Sequence, residues 1–258
     1  MTRALRKRIQ RLLSSPPPAI NRKDPQQEIV DTLYQKQYLR VLTLLSEATP
    51  ETCEKTCIAL AHSLHEASDE AWQTAARSFP EGIEQMQCRE GCSHCCNEPL
   101  GVNILDAIAL AAARMSNPLD YTLDTRDRWQ LKALFQPCPM LKDGRCSVYH
   151  ARPVICRAYH SSNVARCQEV LDTRDSGRQV PMDLMIFGYT GLPQEATLKV
   201  FEEVGIDHRP VVLGLAVAAL GEDFQGMTRD WLSGGSAFDD VVVQETGPRP
   251  MQMQLKVL

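Results

Sequence analysis

Four cysteines occupy nine consecutive positions in CREGCSHCC, residues 88–96. Thiols packed this closely are bridged, metallated or held reactive, and each outcome constrains the chain around them. Ten cysteines are present, and eight fall between residues 88 and 167: Cys88, Cys92, Cys95, Cys96, Cys138, Cys146, Cys156 and Cys167. Their spacing favours metal ligation. Two residues separate Cys92 from Cys95, which lets a tight turn present both sulfurs to one ion about 2.3 Å away. Cys88 and Cys92 are four apart, one helical turn, so one face can carry both. Cys138 and Cys146 bracket PMLKDGR, where Asp143-Gly144 is a turn signal that folds the loop back on itself. The neighbours Cys95 and Cys96 point in different directions. They suit two ions, a multinuclear centre, or one ligand beside one free reactive thiol.

A disulfide scaffold would require an exported chain. The basic start is not followed by an apolar core and a small-residue cleavage site. The longest apolar run, VVLGLAVAAL at 211–220, has ten residues, against the roughly 20 that span a bilayer. We therefore expect a cytoplasmic protein with no transmembrane segment, in a reducing compartment where clustered thiols bind metal or do redox chemistry. A net charge of −4 argues against nucleic acid as a general partner. Against that balance, Arg3, Arg6, Lys7, Arg8 and Arg11 load the N-terminus, while Met1, Leu5, Ile9, Leu12 and Leu13 form one helical stripe. The expected element is a short basic amphipathic helix facing water, with contact to an anionic surface or an organelle transit role as the other readings.

The remaining pattern is helical. SSPPPAI (14–20) reads as a linker, because consecutive prolines stop a helix. From Gln26 to about Ser78 apolar residues recur at helical spacing, with Thr49-Pro50 expected to cap and open one helix and Asp69 to start another. Asn103 can cap ILDAIALAAARM, and DTRDRWQLKALF (124–135) is helical in pattern. NVARCQEVL, QEATLKVFEEVG and PVVLGLAVAALG follow, the last two with proline or glycine where a helix starts or stops. VVVQ at 241–244 is the best strand candidate. The fold class is mainly α, a helical domain with an irregular cysteine-rich metal-binding insert. The expected divisions are 1–20 basic helix and linker, 21–84 N-terminal helices, 85–170 cysteine-cluster domain, 171–247 C-terminal helices and 248–258 flexible tail.

CREGCSHCC, then CPMLKDGRCSVYHARPVICRAYH, then the cysteine of NVARCQE, resemble the YkgJ-type cysteine-cluster family over about residues 85–170. The resemblance implies a domain that chelates zinc or iron. Cys88, Cys92, Cys95, Cys96, Cys138, Cys146 and Cys156 match the family's cysteines, and Cys167 a position found in some members. A related cysteine pattern occurs in flagellin lysine methylases, but this chain shows no glycine-rich SAM-type loop. The spacing of Cys88, Cys92 and Cys95 is also that of the radical-SAM motif, whose β/α-barrel context is missing here. The bacterial ferredoxin run does not match.

Other residues near the cluster have plainer expectations. His94, His150 and His160 are near enough to replace a sulfur, but the cysteines suffice to fill two sites, so structural roles are expected. Tyr149 and Tyr159 are expected to pack over the site, and Pro153 to open a short helix carrying Cys156 and Arg157 inward. Arg89, Lys142, Arg145, Arg152 and Arg157 are suited to offset thiolate charge. Cys53 and Cys57 are one helical turn apart but are expected in the core, as buried free cysteine commonly is; Met182, Met185, Met251 and Met253 are read as gap-filling or tail residues rather than a copper site.

The functional expectation is a metal-binding module, its zinc or iron held as two mononuclear sites or as one to two iron–sulfur clusters, acting in a binding or accessory role with a possible protein partner. Alternatives are an iron-dependent or iron–sulfur oxidoreductase or protein-modifying enzyme, and a metal trafficking or sensing protein.

Overall fold

The computed structural model describes residues 1–20, 26–97, 100–116, 137–138, 140–173, 179–243 and 251–252. Helix α1 (Arg3–Leu13) is capped by Thr2, whose hydroxyl accepts the Leu5 N–H. Leu5 and Ile9 are buried, so the apolar stripe of the basic helix packs into the protein while its charged face stays exposed. Arg8 donates to the Val204 carbonyl at 2.9 Å and ties that helix down.

Helix α2 (Gln27–Ser46) buries Val30, Leu33, Tyr34, Gln37, Tyr38, Val41, Leu42 and Leu45, the i, i+3, i+4 stripe of a helix with one face inward. Helix α3 (Cys53–Ser78) is the central element. It runs unbroken through Asp69, where a new start was expected, and it begins after Thr52 rather than at Thr49-Pro50. Thr49 lies instead in the turn before it, its N–H donating to the Thr52 hydroxyl. A single turn, α4 (Pro80–Glu84), follows.

After the cysteine run come β1 (Leu100–Val102) and α5 (Ile104–Ser116). The expected cap forms: the Asn103 side chain accepts the Asp106 N–H at 2.9 Å. The helix expected over 124–135 lies outside the described residues. A hairpin of β2 (Leu141–Lys142) and β3 (Arg145–Cys146) turns through Asp143 and Gly144, both with positive φ. That geometry is a tight hairpin turn, the structure Asp-Gly favours. Helices α6 (Val154–Ala158) and α7 (Val164–Thr173) complete the cysteine region, with Pro153 capping α6 as expected.

Helix α8 (Leu184–Val204) starts well before the expected QEATL and passes through Pro193; Gly205, in the left-handed region, ends it as read. The chain continues through β4 (Val211–Val212), α9 (Leu213–Glu222) and α10 (Phe224–Leu232). Over its described residues, 241–243, the expected strand VVVQ does not form. Val241 ends a 3₁₀ turn, and Val242 makes only an isolated bridge to Val211. The short sheet is built elsewhere, with β1 between antiparallel β4 and parallel β5 (Met251–Gln252). Beyond those two residues the tail from 248 is outside the described residues. The predominantly helical class holds, and the stretch around 88–96 is irregular.

Helices α2, α3 and α8 pack against one another, and α5, α6 and α10 also pack on α3. The main core draws Leu42, Leu60, Ile108, Val154, Val200 and Trp231 into one cluster. A smaller cluster of Val30, Ala71 and Tyr189 has Trp72 packed beside it. This frame fixes the C-terminal half of α3, which forms one wall of the site.

Candidate metal centre

Three short backbone devices place the thiols. Cys88 is strapped to the far side of the region, because its N–H and that of Gln87 both donate to the Ser161 carbonyl, at 3.1 and 2.9 Å. The expected helical turn between Cys88 and Cys92 is absent. A turn does the same work, with Cys92 N–H donating to the Arg89 carbonyl at 3.0 Å and Gly91 at positive φ. Cys95 and Cys96 sit on a 3₁₀ turn, His94–Asn97, a tight coil with three residues per turn. The Cys138 N–H reaches the Cys96 carbonyl at 2.6 Å, and the Leu141 N–H returns to the Cys138 carbonyl at 2.8 Å. Leu141 then pairs with Cys146 across the hairpin. Helix α6 carries Cys156 in from below.

As a result Cys88, Cys92, Cys95 and Cys96 from the first run, Cys138 and Cys146 from the hairpin, and Cys156 from α6 line one cavity of about 510 Å³. Cys167 is not among its lining residues, but lies near enough to Cys88 for their charges to repel. None of the ten cysteines is in a disulfide. Cys53 and Cys57 stand apart: both are buried in the core of α3, and the Cys57 thiol faces the Thr228 carbonyl at 3.8 Å.

Burial controls the thiols of the cavity. It raises Cys88, and it holds Cys156 well above the ordinary thiol range. Cys138 is pushed up to about 12, and Cys146 is also raised. The adjacent pair splits: Cys95 donates a hydrogen bond to Cys96, which holds Cys95 up and brings Cys96 down. A thiol surrounded by protein resists becoming an anion unless a cation shares the space.

The arginines differ in their commitments. Arg157 is 4% exposed and fully engaged: it pairs with Asp69 of α3 at 2.5 Å, and its Nε–H reaches the Arg152 carbonyl at 2.9 Å. A further bond goes to the His150 carbonyl. It therefore braces α6 and the 149–152 turn against the helical frame. Arg152 lies over the Tyr149 ring, 3.9 Å from its centre, with its buried Nε unpartnered. Arg89 and Arg145 also line the cavity, whereas Lys142 faces solvent.

Of the histidines only His160 lines the cavity. The Trp72 indole donates to its Nδ1 at 3.2 Å, and burial, with the Arg152 charge behind it, lowers its pKa to about 4. His150 is exposed and offers only its backbone. Tyr149 and Tyr159 both line the cavity as expected, Tyr149 remaining 43% exposed. Sequence reasoning missed Asp69, Trp72 and Gln73, the wall contributed by α3. No local signal marks them, since they lie some twenty residues before the cysteine run and reach it only through folding.

It also missed a buried network just beneath. Asp106 accepts from His65 Nε2 at 2.8 Å and from the Val154 N–H at 3.1 Å, while Asn103 donates to Asp106 and to Gln194. The Val154 bond anchors the first turn of the helix that carries Cys156. Asn103 followed three residues later by an acid is a capping pattern that pointed to half of this network.

The decisive comparison is with family models. Residues 87–176 match the CxxCxxCC family. Its description is "Putative zinc- or iron-chelating domain", and the match bears out the resemblance read from the motifs. It spans about a third of the chain. No curated protein and no solved structure matches. Every one of the eight clustered cysteines falls within the CxxCxxCC region. Among the described residues no group of three or more His, Cys, Asp or Glu side chains stands so that it could hold a metal ion. The donor chemistry nonetheless fits zinc or iron. All the candidate donors are soft thiols, several are held protonated by burial, and Arg89, Arg145 and Arg152 line the same cavity. No helix among the described residues is long and apolar enough to cross a membrane.

Proposed function

We propose that this chain is a metal-binding module that holds zinc or iron through Cys88, Cys92, Cys95, Cys96, Cys138, Cys146, Cys156 and Cys167, and acts in a binding or accessory role. One observation carries the reading: seven thiols from three separate segments, 50 residues or more apart at the extremes, line a single cavity. Bound zinc would cross-link these segments, and iron would add redox capacity. The chain's own contribution is to converge the donors, to brace them through Arg157 and Asp106, and to supply positive charge from Arg89, Arg145 and Arg152.

The test is purification under anaerobic conditions, followed by metal analysis, acid-labile sulfide and a visible spectrum. Zinc or iron at one or more equivalents per chain supports the reading, and sulfide with broad visible absorption selects an iron–sulfur centre. A chain that takes up neither metal from replete medium or by titration overturns it. Cys92→Ser or Cys95→Ser is expected to lower bound metal by about half or more and to destabilise the fold, since each removes one donor from a four-coordinate set. Cys53→Ser is expected to leave metal content unchanged, because that thiol is 3% exposed in the core of α3 and does not line the cavity.

Metal uptake has a fixed pH sign. Cys88, Cys95, Cys138, Cys146 and Cys156 are raised by burial or hydrogen bonding, so they enter the reaction as neutral thiols and must release protons. Apparent affinity is then expected to rise with pH, by about tenfold per unit for each proton displaced. Chelator competition at about pH 6 and about pH 8 reads this slope. A pH-independent affinity would exclude these thiols as ligands.

A further inference from the structure

The wall of the cavity is only partly sulfur. Its volume of about 510 Å³ falls within the roughly 300–1,000 Å³ of small-molecule sites. Beside the thiols it presents Trp72, Leu100, Leu110, Met140 and Leu213, apolar surface for which a metal ion has no use. Its charge is lopsided as well. Among the described residues four arginines line it, Arg89, Arg145, Arg152 and Arg157, against two carboxylates, Asp69 and Glu90, in a chain whose net charge is −4. Asp69 is taken by Arg157 at 2.5 Å, and among the described residues no ion pair holds the other three arginines.

Arg152 is the centre of this wall. It follows the 3₁₀ turn Tyr149–Ala151, and its guanidinium lies 3.9 Å from the centre of the Tyr149 ring. Stacking occupies a face of the guanidinium plane and leaves the N–H groups at its edge for hydrogen bonds. Its Nε is buried without a partner among the described residues. A buried polar group left unpaired is rare, and points to a partner that is not part of the chain. Arg145 reaches across from the hairpin, its Nε 3.9 Å from where a Cβ on Gly91 would stand, which sets it beside the turn that carries Arg89. His160 adds a donor rather than a lone pair. The Trp72 indole can only donate, so His160 Nδ1 accepts at 3.2 Å and the proton of the neutral ring sits on Nε2.

We propose that this wall binds a small organic carboxylate with a flat apolar body. A carboxylate is planar and accepts two parallel hydrogen bonds, which matches the edge of the Arg152 guanidinium. Arg89, Arg145 and the His160 N–H add charge and a donor, and the apolar body has Trp72 and the leucines to cover. An inorganic oxoanion would answer the charge and leave the apolar surface wet. A neutral ligand would cover that surface and leave the arginines unanswered. The inference goes beyond the metal-binding reading and does not rest on it, because it uses the residues of the cavity that are not cysteine. Metal thiolates and a carboxylate would share the same positive charge, so metal content is recorded with every measurement below.

The test is calorimetric titration of the full chain, as purified, with benzoate at fixed ionic strength. One benzoate per chain with a Kd of about 1 mM or tighter is expected. Benzamide has the shape without the charge and inorganic phosphate the charge without the apolar body, so each should bind about tenfold more weakly or worse. Arg152→Gln should weaken benzoate by about tenfold or more, and Arg152→Lys by less, since the charge survives without the fork. Arg40→Gln, which removes an exposed arginine of α2 paired with Glu66, should change nothing. Circular dichroism of each variant checks that the helices are retained. Where Arg152→Gln fails to fold, Arg145→Gln on the exposed hairpin should still show a loss of about threefold. Four results overturn the proposal: no saturable binding up to about 10 mM, equal affinity for benzamide or phosphate, unchanged binding in Arg152→Gln, or affinity that follows metal content rather than Arg152. Each leaves the metal-binding reading as it stands. A chain that binds benzoate as expected but takes up no metal loses that reading and keeps this one.

Discussion

Asp106→Ala is expected to lower the free energy of unfolding by on the order of 3–5 kcal/mol, the cost of removing the shared acceptor of several buried donors at once. The carboxylate is 1% exposed and is the hub of four elements. One oxygen accepts from His65 of α3 and from the Val154 N–H at the start of α6; the other accepts from Asn103, which also binds Gln194 of α8. Its removal strands a histidine N–H, an amide N–H and a backbone N–H in the protein interior. Each stranded donor costs about 1–3 kcal/mol, less than additively because the pocket relaxes. Urea unfolding with an unchanged slope would read the loss as stability alone. Asp106→Asn should cost less, since one oxygen can still accept from Val154 or His65. A loss below about 1 kcal/mol for the alanine variant would mean that the network is replaced by solvent and does not hold α6 in place. Because α6 carries Cys156, the same variant should also weaken metal retention, whereas His65→Ala should affect stability more than metal.

What could be read from the chain divides by range. The hairpin around Asp143-Gly144, the helix opened by Pro153 and the cap at Asn103 were legible because each is decided by a few adjacent residues. So was the convergence of Cys138 with Cys146. The run at 88–96 declared its chemistry through spacing, although its turns were mistaken for a helical face: four-residue spacing fits both, and Gly91 at positive φ decides for the turn. Helix α8 was hidden by Gly188, Gly191 and Pro193, which local propensity reads as a break. Packing against α2 and α3 overrides them, and the Thr197 hydroxyl bonds back to the Pro193 carbonyl at 2.8 Å. Asp69 was misread as a helix start because an acid commonly opens one. It sits mid-helix, and its role is the ion pair with Arg157, 88 residues away, which no window of the sequence contains. The short strands β1 and β4 carry too few residues for an alternating pattern to register.

The same frame that shapes the cavity wall predicts the largest effect far from it. Trp231→Ala should destabilise the fold by on the order of 3–5 kcal/mol, the range for truncating a large buried aromatic. Trp231 is 0% exposed and stands edge-on to Phe201 of α8 at 5.4 Å and to Phe238 at 6.4 Å. Its indole N–H donates to the Asp207 carbonyl at 2.8 Å, so the ring joins α10, the end of α8 and the segment leading to β4. Alanine leaves a void that helices already fixed by α3 cannot close, and also leaves that carbonyl without its donor. Trp231→Phe keeps most of the volume and isolates the second loss, expected at about 1–3 kcal/mol. Against a total stability of roughly 5–15 kcal/mol, the alanine variant should unfold at markedly lower urea. Trp231 does not line the thiol cavity, so the fraction that stays folded should bind metal with wild-type stoichiometry. Loss of metal from folded Trp231→Ala would show that the aromatic core and the thiol site are one cooperative unit, coupled through α3, rather than a frame with a site mounted on it.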